Sequence, residues 1–164
     1  MSLAWALEYA RQRDAGDNPL DVDASYALLE GRVKFADFDF VAGYEQLSGV
    51  RAAPDPAGSP AFQTPLATLH KWQGWADKFL TTPSAGVEDI YVGLNAKRSI
   101  WRAQAIWHDF AAEATGLHYG SEIDLLVACT IAKRYEVMLK FADYSADEGF
   151  TDTQKLWLQL GASF

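Results

Sequence analysis

The sequence predicts an all-β fold, an antiparallel up-and-down transmembrane β-barrel of about eight strands. Three observations lead there. Large apolar residues recur at every second position in runs of about ten residues, the length a tilted strand needs to cross a hydrocarbon core. The connections between runs alternate long and short, the asymmetry of barrels with tight periplasmic turns and longer outer loops. The face opposite the large apolar residues mixes small side chains (Ala4, Ala6, Gly43, Gly93, Ala128, Gly161) with charges. That suits a packed or wet lumen better than the apolar interior of a soluble barrel.

The first run, Ser2 to Gln12, sets Leu3, Trp5, Leu7 and Tyr9 against Ala4, Ala6, Glu8 and Ala10. Turn formers from Asp14 to Pro19 reverse the chain. Ala24 to Phe35 is less regular, with Ala27, Leu29, Val33 and Phe35 on one face and Tyr26, Leu28, Glu30, Arg32 and Lys34 on the other. Ala36-Asp37 fits a two-residue hairpin turn before Phe38, Phe40, Ala42 and Tyr44. Between Gln46 and Gly86, prolines at 54, 56, 60, 65 and 83 interrupt any ladder, which predicts a long extracellular loop. Within it Thr64 caps, Pro65 fits the first helical position, and Leu66, Leu69, Trp72, Ala76 and Phe79 recur at helical steps. A short helix over 65–80 is therefore expected. Alternation resumes at Ile90, Val92 and Leu94, turns over Ala96 to Ser99, and continues with Trp101, Ala103, Ala105 and Trp107. After a loop from Ala111 to Tyr119 come Ile123, Leu125, Val127, Cys129 and Ile131, then a turn at Ala132 to Arg134. Val137, Leu139 and Phe141 follow, then a loop from Ser145 to Thr151, and finally Leu156, Leu158, Leu160, Ala162 and Phe164. All 164 residues read as one domain or barrel fragment.

Composition narrows the function. Fourteen Lys and Arg against 22 Asp and Glu give a net charge of −8, which disfavours nucleic acid as a partner. Six Trp, seven Tyr and nine Phe suit interfaces, carbohydrate sites or membrane girdles. The single cysteine, Cys129, forbids an internal disulfide and falls on the apolar face, where a reactive thiolate is suppressed. No apolar stretch approaches the roughly 18 residues of a transmembrane helix. Met1 to Trp5 has neither the basic start nor the apolar core of a secretory signal, so a membrane barrel would have its true beginning upstream.

Phe164 lies in phase with Leu156, Leu158, Leu160 and Ala162. This resembles the C-terminal strand of bacterial outer-membrane barrels, whose final aromatic residue is read by the barrel assembly machinery. The segment Phe62 to Leu80, with His70-Lys71-Trp72-Gln73-Gly74-Trp75 inside it, resembles a loop of alginate-export-domain proteins. So do Gly86 to Val92, His108-Asp109-Phe110, Tyr119 to Asp124 and Asp152 to Leu158. The resemblance implies an outer-membrane channel, porin-like, that passes polysaccharide or small solutes, in the best-known case an anionic uronate polymer through an arginine-rich lumen. Barrels of that family have more strands and a signal sequence, so the chain resembles the C-terminal part of a larger barrel. Its inward face departs from the family. Arg32, Lys34, Arg102, Lys140 and Lys155 are outnumbered by Glu8, Glu30, Asp39, Glu45, Asp89, Glu122, Asp124 and Glu136.

The candidate lumen residues are Arg102, Lys140, Lys155, Asp89, His108, Glu122 and Asp124, which form either a charged constriction or a plug of cross-strand ion pairs. Trp72 and Trp75 either stack sugar rings or anchor the expected helix. His70, His108 and His118, with Asp109 and Glu113, lack ligand spacing on any one element, so no metal or other cofactor is expected. There is no nucleophile elbow and no glycine-rich phosphate loop, so no enzyme is expected. Two other readings stay open: a self-contained eight-strand outer-membrane anchor or adhesion surface, and a soluble ligand-binding barrel. Both predict the same alternation.

Overall fold

The computed structural model describes residues 1–17, 20–51, 59–64 and 73–163. Eight strands follow one another: β1 (Ser2–Arg13), β2 (Asp23–Phe35), β3 (Phe38–Leu47), β4 (Val87–Arg98), β5 (Trp101–Ala111), β6 (His118–Ile131), β7 (Tyr135–Ala146) and β8 (Thr153–Ala162). They form one antiparallel sheet in which sequence order and spatial order coincide. The up-and-down architecture therefore agrees with the period-two reading. Each strand pairs only with its neighbours in sequence, and the backbones of β1 and β8 do not meet, so the sheet is open at both edges rather than closed.

Two short turns differ in how the sequence announces them. Phe35 pairs with Phe38 around Ala36-Asp37, as expected, with Ala36 in the left-handed region at φ 51°. The turn expected at Ala96 to Ser99 is instead the two-residue turn Ser99-Ile100, because Arg98 pairs with Trp101 and Ser99 takes φ 57°. Polar Lys97 and Arg98 thus remain in the ladder, where backbone pairing outweighs side-chain turn preference. At the other end, β6 starts at His118 and β7 runs to Ala146, further than the alternation predicts. The register slips between Phe110 and Ala111, and Gly120 sits at φ 137° with Tyr119 and itself both buried. A bulge of this kind breaks period two and hides the strand start from the sequence.

The helix expected over 65–80 is not formed where it can be checked. Residues 65–72 lie outside the described residues, and 73–80 forms turns. Gln73, Gly74 and Asp77 all have positive φ, which no right-handed helix accommodates. The backbone N–H groups of Trp75 and Ala76 point to the carboxylates of Asp124 and Glu122 instead of to carbonyls one helical turn back.

The convex face is apolar and exposed along its whole width. Trp5 is 79% exposed at the β1 edge, Leu160 73% at the β8 edge and Val127 49% in the middle of the sheet. Trp101 and Trp107 face the same way. On the concave side, Trp75, Phe79, Val87, Phe110, Tyr119 and Tyr144 pack into a buried cluster at the loop end. The only substantial apolar core among the described residues thus lies beneath the long loops.

Candidate functional site

The concave face carries the candidate residues, and the loop between β3 and β4 folds back against it. A cavity of about 620 Å³ is walled by inward side chains of β1 through β7, among them Glu8, Glu30, Asp89, Tyr91, Arg102 and Lys140, and is bounded by Gln73, Gly74 and Trp75 of the loop. A second cavity of about 460 Å³ opens at the turn end beside Lys34, Asp37, Asp39 and Lys97. Both are lined by Arg102, Gln104 and Leu126. The two spaces therefore adjoin, from the turn-end mouth to the underside of the folded-in loop.

That loop segment is hung on buried carboxylates. Trp75 N–H donates to Asp124 Oδ2 at 3.1 Å, Ala76 N–H to Glu122 Oε1 at 2.7 Å, and Gln73 Nε2 to Glu45 Oε2 at 2.6 Å. Acids that accept backbone N–H groups satisfy donors that a buried turn would otherwise leave unpaired. Gly74 permits the approach, since a Cβ there would stand 2.5 Å from Glu122 Oε2. Lys155 Nζ closes the far side on Asp77 Oδ2 at 2.7 Å. Lys140 Nζ lies 3.9 Å from the centre of the Trp75 ring and 5.2 Å from that of Trp157, a cation held between two aromatic faces.

The remaining candidates pair across strands. Arg102 donates to Glu136 Oε1 at 3.0 Å, from β5 to β7. Asp89 is buried and both its oxygens lie within 3.0 Å of His108 Nδ1, while His108 Nε2 stands 3.8 Å from Asp124 Oδ2. His108 also stacks on Phe110, its ring parallel to within 6°. The seven candidates therefore all lie on the concave side; Asp89, His108 and Lys140 line one end of the larger cavity, and Glu122 and Asp124 lie against the folded-in segment beside it. Arg102 stands apart, toward the turn end. Of the loop tryptophans, Trp75 is buried beneath Lys140, so a sugar ring reaches it only if the segment moves, and Trp72 lies outside the described residues. Phe164 lies outside them as well.

Strand parity places Glu45 and Tyr91 on the inward side, but not their partners, and only the Gly43–Tyr91 cross-strand pair hints that the tyrosine lies flat over a glycine. Tyr91 then donates to Glu30 Oε2 at 2.8 Å. The roles of Gln73 and Asp77 depend on loop geometry with no local signature. Compared with known proteins, the chain matches no family model, no curated protein and no solved structure.

Proposed function

We propose that the chain forms part of the wall of a bacterial outer-membrane β-barrel, a porin-like channel of the alginate-export type that passes polysaccharide or small solutes. The two-sided sheet carries this reading. Its convex band is apolar from Ile123 to Ile131 on β6, a rise of about 21 Å for a strand tilted by about 40°. Tyr9, Tyr44 and Trp107 flank that band at the loop end, and Phe35, Phe38, Trp101 and Tyr135 at the turn end. Beyond the first group the outward residues turn polar on β1, β3 and β5 to β8, with Arg11, Gln46, Asp109, Ser121, Asp143 and Gln154. Aromatic girdles and a polar rim of this kind match the lipid-facing surface of a membrane barrel.

Lipid leaves no room for open edges, because each unpaired backbone group in hydrocarbon costs several kcal/mol. The free edges of β1 and β8 therefore support a barrel wider than these eight strands. Width matters for passage, since eight strands enclose a lumen that side chains fill. The inner wall offers no surplus of positive charge: Arg32 pairs with Glu30, Arg102 with Glu136 and Lys155 with Asp77. Selection of an anionic polyuronate would require basic residues on other strands, and this wall favours neutral or cationic solutes.

The same ion pairs and the folded-in segment favour a second reading, a closed anchor or adhesion surface in the same membrane. Planar-bilayer recordings of the detergent-purified chain beside the full-length barrel it would belong to decide between them. Discrete conductance steps from the full-length barrel, with little or none from the chain alone, support the channel, while insertion of both without conductance supports the anchor. A protein that stays soluble and monodisperse without detergent would overturn both.

A further inference from the structure

His118 opens β6 above the lipid-facing band and stands between acids from two other elements. Its Nε2 lies 2.8 Å from Asp109 Oδ1 on β5, and its Nδ1 hydrogen-bonds the Asp147 carboxylate in the β7–β8 loop. An ionised carboxylate only accepts, and a neutral imidazole donates through one nitrogen alone. Both bonds together therefore require the imidazolium. Asp109 and Asp147 are the charged groups facing the ring, and their hydrogen bonds hold its pKa above the ordinary histidine value.

The loop held in this way rests on the inward-folded segment. Asp147 N–H donates to the Tyr119 carbonyl at 3.1 Å and Glu148 N–H to the His118 carbonyl at 3.4 Å. Further along the loop, Phe150 meets Phe79 edge-on at 5.2 Å between ring centres, and Lys78 Nζ reaches Thr151 Oγ1 at 3.5 Å. Lys78 and Phe79 continue the turn that hangs Trp75 and Ala76 on Asp124 and Glu122. A displaced β7–β8 loop would uncover Phe79 and remove one wall of that packing.

We propose that His118 is a pH-operated latch, clamping the β7–β8 loop over segment 73–80 as the imidazolium and releasing both when it loses its proton. Release runs toward alkali. The clamp is complete below about pH 6.5, the unperturbed histidine value, and is lost as the pH climbs through the raised value in the folded protein. The latch rests on the channel reading only for its effect on conductance, and its effect on the segment can be measured without any current.

Hydrogen-exchange protection factors of the Trp75 and Ala76 amides, followed in detergent micelles from about pH 5.5 to about pH 8.5, test it directly. In the wild type, protection falls about five-fold across that range. In His118→Gln it is low and constant. Asp147→Ser, a change on an exposed loop, gives the same low plateau and serves as a second variant should the first not fold. An unchanged pH response in either folded variant would overturn the latch. Conductance of the full-length barrel recorded in parallel separates the two claims: a pH response of the amides without current from that barrel keeps the latch and ends the channel reading. Current whose pH response survives His118→Gln keeps the channel and ends the latch.

Discussion

Gly43 and Tyr91 face each other across β3 and β4, and a Cβ on Gly43 would lie 2.2 Å from the tyrosine ring. Gly43→Ala should push the ring off the strand, break its bond to Glu30 and cost about 1–3 kcal/mol, read as a lower urea midpoint for the micelle-bound protein. His118 gives a pH-dependent counterpart. Its pKa is raised in the folded state, so its stabilisation is present below the unfolded value and disappears as the pH rises through the folded one. The ring is 43% exposed, which screens the pair and limits the effect to about 1 kcal/mol. Wild type and His118→Gln should therefore differ in Tm at pH 5.5 and converge near pH 9 (about these values, either side of the histidine range); a gap that widens toward alkali would reverse the sign. Residues such as Asp89 and Lys140 were legible as inward because strand parity sorts side chains by face. Their partners were not, since His108 meets Asp89 only through strand pairing and Lys140 meets Trp75 only through a loop.

At the scale of elements, the strands were legible and the long loop was not. Alternation works because an apolar residue placed one step out of phase would change faces, and lipid or water would reject it. Loop segment 73–80 has apolar residues at helical spacing, yet β6 supplies Glu122 and Asp124 as acceptors for its N–H groups, and tertiary partners override local periodicity. The same strand provides a contrast for mutation. Val127 points outward, and on the proposed membrane reading Val127→Arg should cost about 2–4 kcal/mol near the bilayer midplane. Ala128 is buried on the concave side at 2% exposure, so an arginine there would be crowded rather than welcomed by a wet lumen. Gln104→Arg, on the shared wall of the two cavities, should be milder than Val127→Arg, measured as the yield of heat-modifiable folded protein. Equal loss at both positions would contradict the assignment of convex and concave faces. Val127→Pro should abolish that yield, because a central strand cannot spare a ladder donor.

For the whole molecule, charge and topology set the expectations. On the proposed channel reading, the mixed, net negative inner wall predicts cation preference in a salt gradient, with a smaller reversal potential in Glu8→Gln; a preference for anions would point to basic residues contributed by other strands. Architecture leaves another mark. Since every strand pairs only with the one before and the one after it, the β3–β4 pair alone has to close a long loop, from Leu47 to Val87, and the other pairs are local hairpins. Folding can then proceed like a zipper, one hairpin at a time, with each finished strand presenting its open side as the template for the next.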